Sequence, residues 1–146
     1  MHVGGHGDPV KMATAIRTAL AKSKTPLTPP SPPAAPPAID LDTAQLDQII
    51  GVKGQANGGV YQFDVARRDA VTENGMTLAP TGPLGVATGI AFQPTGNGKA
   101  AITGDFVMTA DEVNPVIKAL RANGIEVTAL HSHMLDEQPR LYFMHF

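Results

Sequence analysis

The sequence predicts an α+β domain: a mainly antiparallel sheet with one packed helix, preceded by a separate N-terminal helix and a proline-rich linker. Three observations predict it. Alternating apolar and polar segments dominate the chain after Gly54 and return after Gly124. One capped amphipathic stretch opens at Thr109, between those two blocks. Seven prolines crowd residues 26–37 and cut the first helix off from the rest.

Asp8-Pro9 opens that first helix. Asp8 is placed to accept from the free N–H groups of the first turn, and Pro9 fits the first helical position. Val10, Met12, Ala13, Ile16, Ala19 and Leu20 form its apolar stripe, and it should end near Ser23. The prolines that follow (Pro26, Pro29, Pro30, Pro32, Pro33, Pro36 and Pro37) cannot sit in a helix or a central strand. They make an extended, semi-rigid linker, with a proline-rich peptide ligand as the other reading. Residues 1–25, 26–39 and 40–146 are therefore expected as N-terminal helical segment, linker and α+β domain.

Residues 41–50 read as a second, short helix, with Asp42 and Gln45 at capping-box spacing and Leu41 with Leu46 at staple spacing. Gly51 and Gly54 close it. Tyr61, Phe63 and Val65 then alternate with Gln62 and Asp64, as a half-buried strand requires. Asn74-Gly75 marks a tight hairpin, and residues 94–98 read as the loop of a second one between strands 86–93 and 100–108. Thr109 and Glu112 form another capping box; Val113, Val116, Ile117 and Leu120 make one stripe, and Pro115 should bend the first turn. Asn123-Gly124 ends this helix. Residues 125–133 and 140–146 complete the pattern as a terminal strand pair.

Met1-His2-Val3 echoes the closing Met144-His145-Phe146. On a tandem-repeat reading, residues 1–25 are the tail of a preceding copy, docking where this copy's own tail is missing. They hold too little to fold alone.

Composition narrows the function. Net charge is −2 and no basic run exceeds Arg67-Arg68, which argues against nucleic-acid binding through phosphate neutralisation. The chain has no Cys, so disulfides, thiolate metal sites and cysteine nucleophiles are all excluded. No apolar run reaches membrane-span length, and the N-terminus lacks the basic and apolar regions of a signal sequence. Gly54-Gln55-Ala56-Asn57-Gly58-Gly59 lacks the Gly-Lys-Ser/Thr of a phosphate loop, and no Gly-x-Ser-x-Gly elbow occurs.

What remains is histidine. Three of five lie in the last sixteen residues: His131, His133 and His145. Residues two apart on a strand share a face, about 7 Å apart. If His133 lies opposite Leu141, then His131 faces Phe143 and Ala129 faces His145. Ile125, Val127, Ala129, His131 and His133 then share one side, and all three imidazoles emerge together. Glu137, four residues beyond His133, is positioned to add an oxygen ligand. Three histidines, or two with a carboxylate, are the donor set of zinc or non-haem iron sites, so a divalent metal (Zn, Mn or Fe) or a small polar ligand is expected. Asp64 and Asp105 are candidate bases if they face the histidines; Arg67, Arg68 and Arg140 are candidate anion contacts, with surface charge as the default. His6 is a loop residue, or completes a site across a repeat boundary. The spacing His131-x-His133-x-x-x-Glu137 is similar to the first metal motif of cupin barrels. No Pro-x-Gly-x-x-His segment follows, so the second cupin motif is missing.

A second resemblance covers residues 42–146. Gly104-Asp105, the run from Thr109 to Val116, the run from Gly124 to His133, and Leu141-Tyr142-Phe143-Met144-His145 resemble the LppY/LpqO family of bacterial lipoproteins. That resemblance implies an exported protein of the cell envelope or periplasm, often with two domain copies, hence self-association or a second copy as partner. It implies no reaction. The alternative to a binding site is a non-catalytic interaction or scaffold module in which the histidines are structural.

Overall fold

The structure is a computed structural model that describes residues 5–28, 35, 37–80 and 84–146. The Met1-His2-Val3 echo and five of the linker prolines (Pro29, Pro30, Pro32, Pro33 and Pro36) lie outside the described residues. The chain divides into two units, Met1–Ala35 and Pro36–Phe146.

The first unit holds helix α1, Pro9–Leu20. Asp8 caps it, its Oδ1 accepting from the backbone N–H of Val10 at 2.9 Å and of Lys11 at 3.0 Å. At twelve residues the helix is marginal alone, and it buries none of its residues.

The second unit opens with α2, Thr43–Ile50, whose N-cap Asp42 accepts from Gln45 N at 3.0 Å. Gly51 ends it with φ +85°, a left-handed conformation that glycine adopts without penalty. Asp47 on this helix accepts from Gly54 N and from the Tyr61 hydroxyl, which fastens α2 to the first long strand. The Gly54 bond first, and the Tyr61 bond second, hold the Asp47 carboxyl below its ordinary range.

Nine strands follow among the described residues. The main sheet is antiparallel throughout and runs β1 (Gln55–Asn57), β2 (Val60–Ala66), β5 (Ala87–Gly96), β6 (Lys99–Met108), β9 (Tyr142–His145), β7 (Ala129–His131). A second small sheet joins β4 (Met76–Thr77), β3 (Thr72–Glu73) and β8 (Glu137–Gln138). Alternation on β2 falls as expected, with Tyr61 and Phe63 buried. Asn74-Gly75 makes the β3–β4 turn with positive φ at both residues.

The second hairpin is tighter than its sequence predicts. Residues 94–96 belong to β5, with Pro94 opposite Ala100, and only Asn97-Gly98 turns, again with positive φ at both. The register shifts between Pro94 and Gly96. A bulge admits a proline because the local ladder there does not need its missing N–H.

Helix α3, Ala110–Ala122, packs on one face of the main sheet. Its N-terminus is closed by Thr109 N donating to Glu112 Oε2 at 2.7 Å, and it continues through Pro115 to Ala122. Val113 and Leu120 meet Met108 and Met144 in one apolar cluster. On the other face Val107, Leu141 and Phe143 pack with Val71 and Val86.

The terminal strands differ from expectation in three ways. Strand β7 begins only at Ala129, and Ile125 and Val127 pack into the α3-side cluster rather than sharing the face of His131. Gly124, with φ +74°, closes the segment after α3, and pairing with β9 starts only at Ala129, four residues later than expected. The β7–β9 ladder stops at His131, leaving His133 in the connection. That connection contains β8, which pairs with β3. Among the described residues no helix is long and apolar enough to cross a membrane.

Candidate metal centre

The ladder sets the first two histidines. Ala129 pairs with His145 and His131 with Phe143, the register expected from the sequence. His131 and His145 are therefore diagonal neighbours on one face, and their Nε2 atoms stand 2.7 Å apart. At that distance one nitrogen donates a proton and the other accepts it. Nδ1 of His131 meets the Ser132 carbonyl at 3.3 Å. Donation there leaves Nε2 with its lone pair toward His145, the orientation in which metal-ligating imidazoles are usually held.

His133 lies beyond the ladder and is positioned by packing. Its ring lies flat on Phe143, with centroids 3.5 Å apart and planes 9° apart. Gly85 closes its outer edge: a Cβ there would stand 3.2 Å from His133 Nδ1, and φ at Gly85 is +71°. The three histidines together offer one donor atom each within 4.8 Å of one another. His133 is the inner member, 11% exposed in its side chain, and His145 the outer one at 40%.

Asp105 adds a carboxylate. Strand β6 sets it directly opposite His145. Its Oδ1 is 3.6 Å from His145 Nδ1 and its Oδ2 is 3.7 Å from His133 Nε2. These separations exceed a hydrogen bond and fall within the reach of an ion pair with a protonated imidazole. One carboxylate thus braces two of the three rings. The sequence offers Asp105 as a candidate base on the condition that it faces the histidines, and the β6–β9 pairing brings it beside two of them. Asp64 lies two strands away in the same cross-sheet row, separated by Gly89, and is exposed.

Glu137 does not join the cluster. The fourth-ligand expectation is corrected here: Glu137 is fully buried, its Oε1 accepts from Leu141 N at 3.0 Å and its Oε2 from Arg140 Nη1 at 3.2 Å. Pairing of β8 with β3 carries its side chain inward, which spacing from His133 alone does not reveal. The arginine expectations change for a related reason. Arg67 is engaged by Glu112, Asp69 and the Val107 carbonyl, and Arg140, though half-exposed, by Glu137 and its own loop. Ser132 accepts from Arg140 Nη2 at 3.0 Å. His6 belongs to the first unit.

A model of the family described as Domain of Unknown Function (DUF1259) matches residues 44–146, which hold the whole sheet, α3 and the three clustered histidines. No curated protein and no solved structure matches the chain.

Proposed function

The chain belongs to the family described as Domain of Unknown Function (DUF1259), and from that premise we propose that its histidine face binds a divalent metal ion. The observation that carries the reading is the convergence of His131, His133 and His145, one donor atom each, within 4.8 Å. Histidine nitrogens beside a carboxylate suit Zn²⁺, Fe²⁺ or Mn²⁺. Zinc–nitrogen bonds of about 2.0–2.1 Å at tetrahedral angles set neighbouring donors about 3.3 Å apart. The His131–His145 pair at 2.7 Å would therefore open by roughly half an ångström on loading. Three protein nitrogens leave a coordination position for water or for a small polar ligand, and a bound ion there supplies Lewis acidity and an acidified water. The resemblance to LppY/LpqO proteins supports placing this domain in the cell envelope, with a second copy as its partner.

One observation favours a rival. Without metal two of the rings already hydrogen-bond each other, His131 with His145, and the third, His133, stacks on Phe143. A scaffold module with structural histidines would look the same. Elemental analysis of protein purified without a nickel column separates the two readings. Near one equivalent of metal, lost on His145→Ala, is the expected result. Less than about a tenth of an equivalent, unchanged by added Zn²⁺, Mn²⁺ or Fe²⁺, would decide for the rival.

A further inference from the structure

Two of the three histidines are held by the ladder and one is not. His131 and His145 are fixed by their pairings in β7 and β9. His133 sits past the end of β7, in a connection whose backbone has to be held by something else. Arg140 holds it. Its Nη2 donates to Ser132 Oγ at 3.0 Å, and its Nη1 donates to the carbonyl oxygens of Met134 and Leu135 at 3.4 and 2.9 Å. Ser132 and Met134 are the residues on either side of His133, so one guanidinium grips both flanks of the histidine.

Arg140 is itself aimed by Glu137. The carboxylate is fully buried, receives Arg140 Nη1 on one oxygen and binds Leu141 N, at the foot of β9, with the other. A buried carboxylate is stable only when paired and hydrogen-bonded, and both of its oxygens are. The arginine's rigid fork then transmits that anchor to the loop, which the flexible point charge of a lysine does not reproduce. We infer that Glu137 is a positioning residue for His133, acting through Arg140. It serves the proposed metal centre at one remove rather than as a ligand. This inference rests on the metal-binding reading for its effect on affinity, but its effect on His133 itself does not.

The test therefore has two readouts on the full chain. The first is Co²⁺ affinity by titration for the wild-type protein, Glu137→Gln and Arg140→Lys, each also in a His133→Ala background. Outer-shell partners are typically worth about 10–100-fold in metal affinity. A loss of that order is expected with His133 present, and no further loss once His133 is gone. The second readout is the His133 Cε1–H resonance of the metal-free protein, which the face-stacked Phe143 ring moves upfield. Both variants should relax it toward the position of an unstacked histidine. Arg140→Lys is the milder change, at a half-exposed side chain, and keeps the test alive should Glu137→Gln fold poorly. An unmoved His133 resonance overturns the inference, as does an equal affinity loss in the His133→Ala background. A wild-type protein that takes up no Co²⁺ defeats the metal reading alone, and the resonance still decides the role of Glu137.

Discussion

The two faces of the six-stranded sheet are built from alternate residues of the same strands, and they do different work. Toward α3, β6 and β9 present Phe106, Met108, Tyr142 and Met144, which meet Val113 and Leu120 in an apolar cluster. On the opposite face the same two strands are apolar at the Val107–Phe143 pair and ionisable at the next pair on that face, Asp105–His145. One step along β9 thus separates a fully buried methionine from a solvent-facing imidazole. Position in the alternation, more than position in the chain, decides what a substitution disturbs.

The sharpest way to break this comparison is to truncate both neighbours. Met144→Ala removes a fully buried side chain and should destabilise by about 2–5 kcal/mol, the range for emptying a packed core site. His145→Ala removes a half-exposed ring with one hydrogen bond, and about 1 kcal/mol or less is expected. Urea unfolding in the presence of chelator measures both. Metal stoichiometry at low urea should give the opposite order, kept by Met144→Ala and lost by His145→Ala. If His145→Ala proves as destabilising as Met144→Ala, the histidine face is core and the scaffold reading gains.

A smaller change probes where the faces are coupled. Gly104 exchanges both backbone hydrogen bonds with Phe146, at 3.0 and 3.1 Å, next to the Asp105–His145 pair. A Cβ there would run into the Phe146 ring and stand 2.6 Å from the Gly89 carbonyl oxygen. Overpacking of this kind costs about 1–3 kcal/mol, so Gly104→Ala should lower the urea midpoint. Because the strand must shift beside His145, metal affinity should fall as well. Lowered stability with wild-type affinity would show that the faces respond independently.

These cases also mark what the sequence makes legible. The caps at Asp8 and Asp42, the Asn74-Gly75 turn and the register of His131 against Phe143 rest on local chemistry or strict alternation, and the structure has them as the sequence predicts. The errors arise where distant strands decide. Nothing near Glu137 announces that β8 pairs with β3, so a carboxylate at ligand spacing turns out to be a buried anchor. Ile125 and Val127 fit the alternation of β7 on paper, yet the strand starts after them and they fill the helix side. Pro94 resembles a loop residue until a bulge accommodates it. Asp105 is recognisable as a strand carboxylate; only the β6–β9 pairing makes it a partner of two histidines.

The smallest expected effect lies at the corner where α3 meets the sheet. Arg67 reaches the Val107 carbonyl at 3.0 Å and Glu112 at 2.7 Å, and Glu112 also accepts from Thr109 N. The Arg67 guanidinium first, and the Thr109 N–H second, hold the Glu112 carboxyl below its ordinary value of 4.5. A carboxylate with a depressed folded pKa contributes stability that is fully present above the unfolded value and is lost as pH falls through the folded one. The Glu112 side chain is 42% exposed, so solvent screening limits the contribution to about 1 kcal/mol or less. Glu112→Gln keeps an acceptor for the helix cap, as glutamine does in capping boxes, and removes only the charge. Urea unfolding of the metal-free protein should therefore show the variant slightly less stable at pH 7. The gap should narrow as pH drops below 4.5 and vanish once Glu112 is protonated in both states. A gap that persists in acid would trace to shape at the cap rather than to the Arg67 pair. Metal affinity should be untouched, because this ion pair fastens α3 to its own side of the sheet.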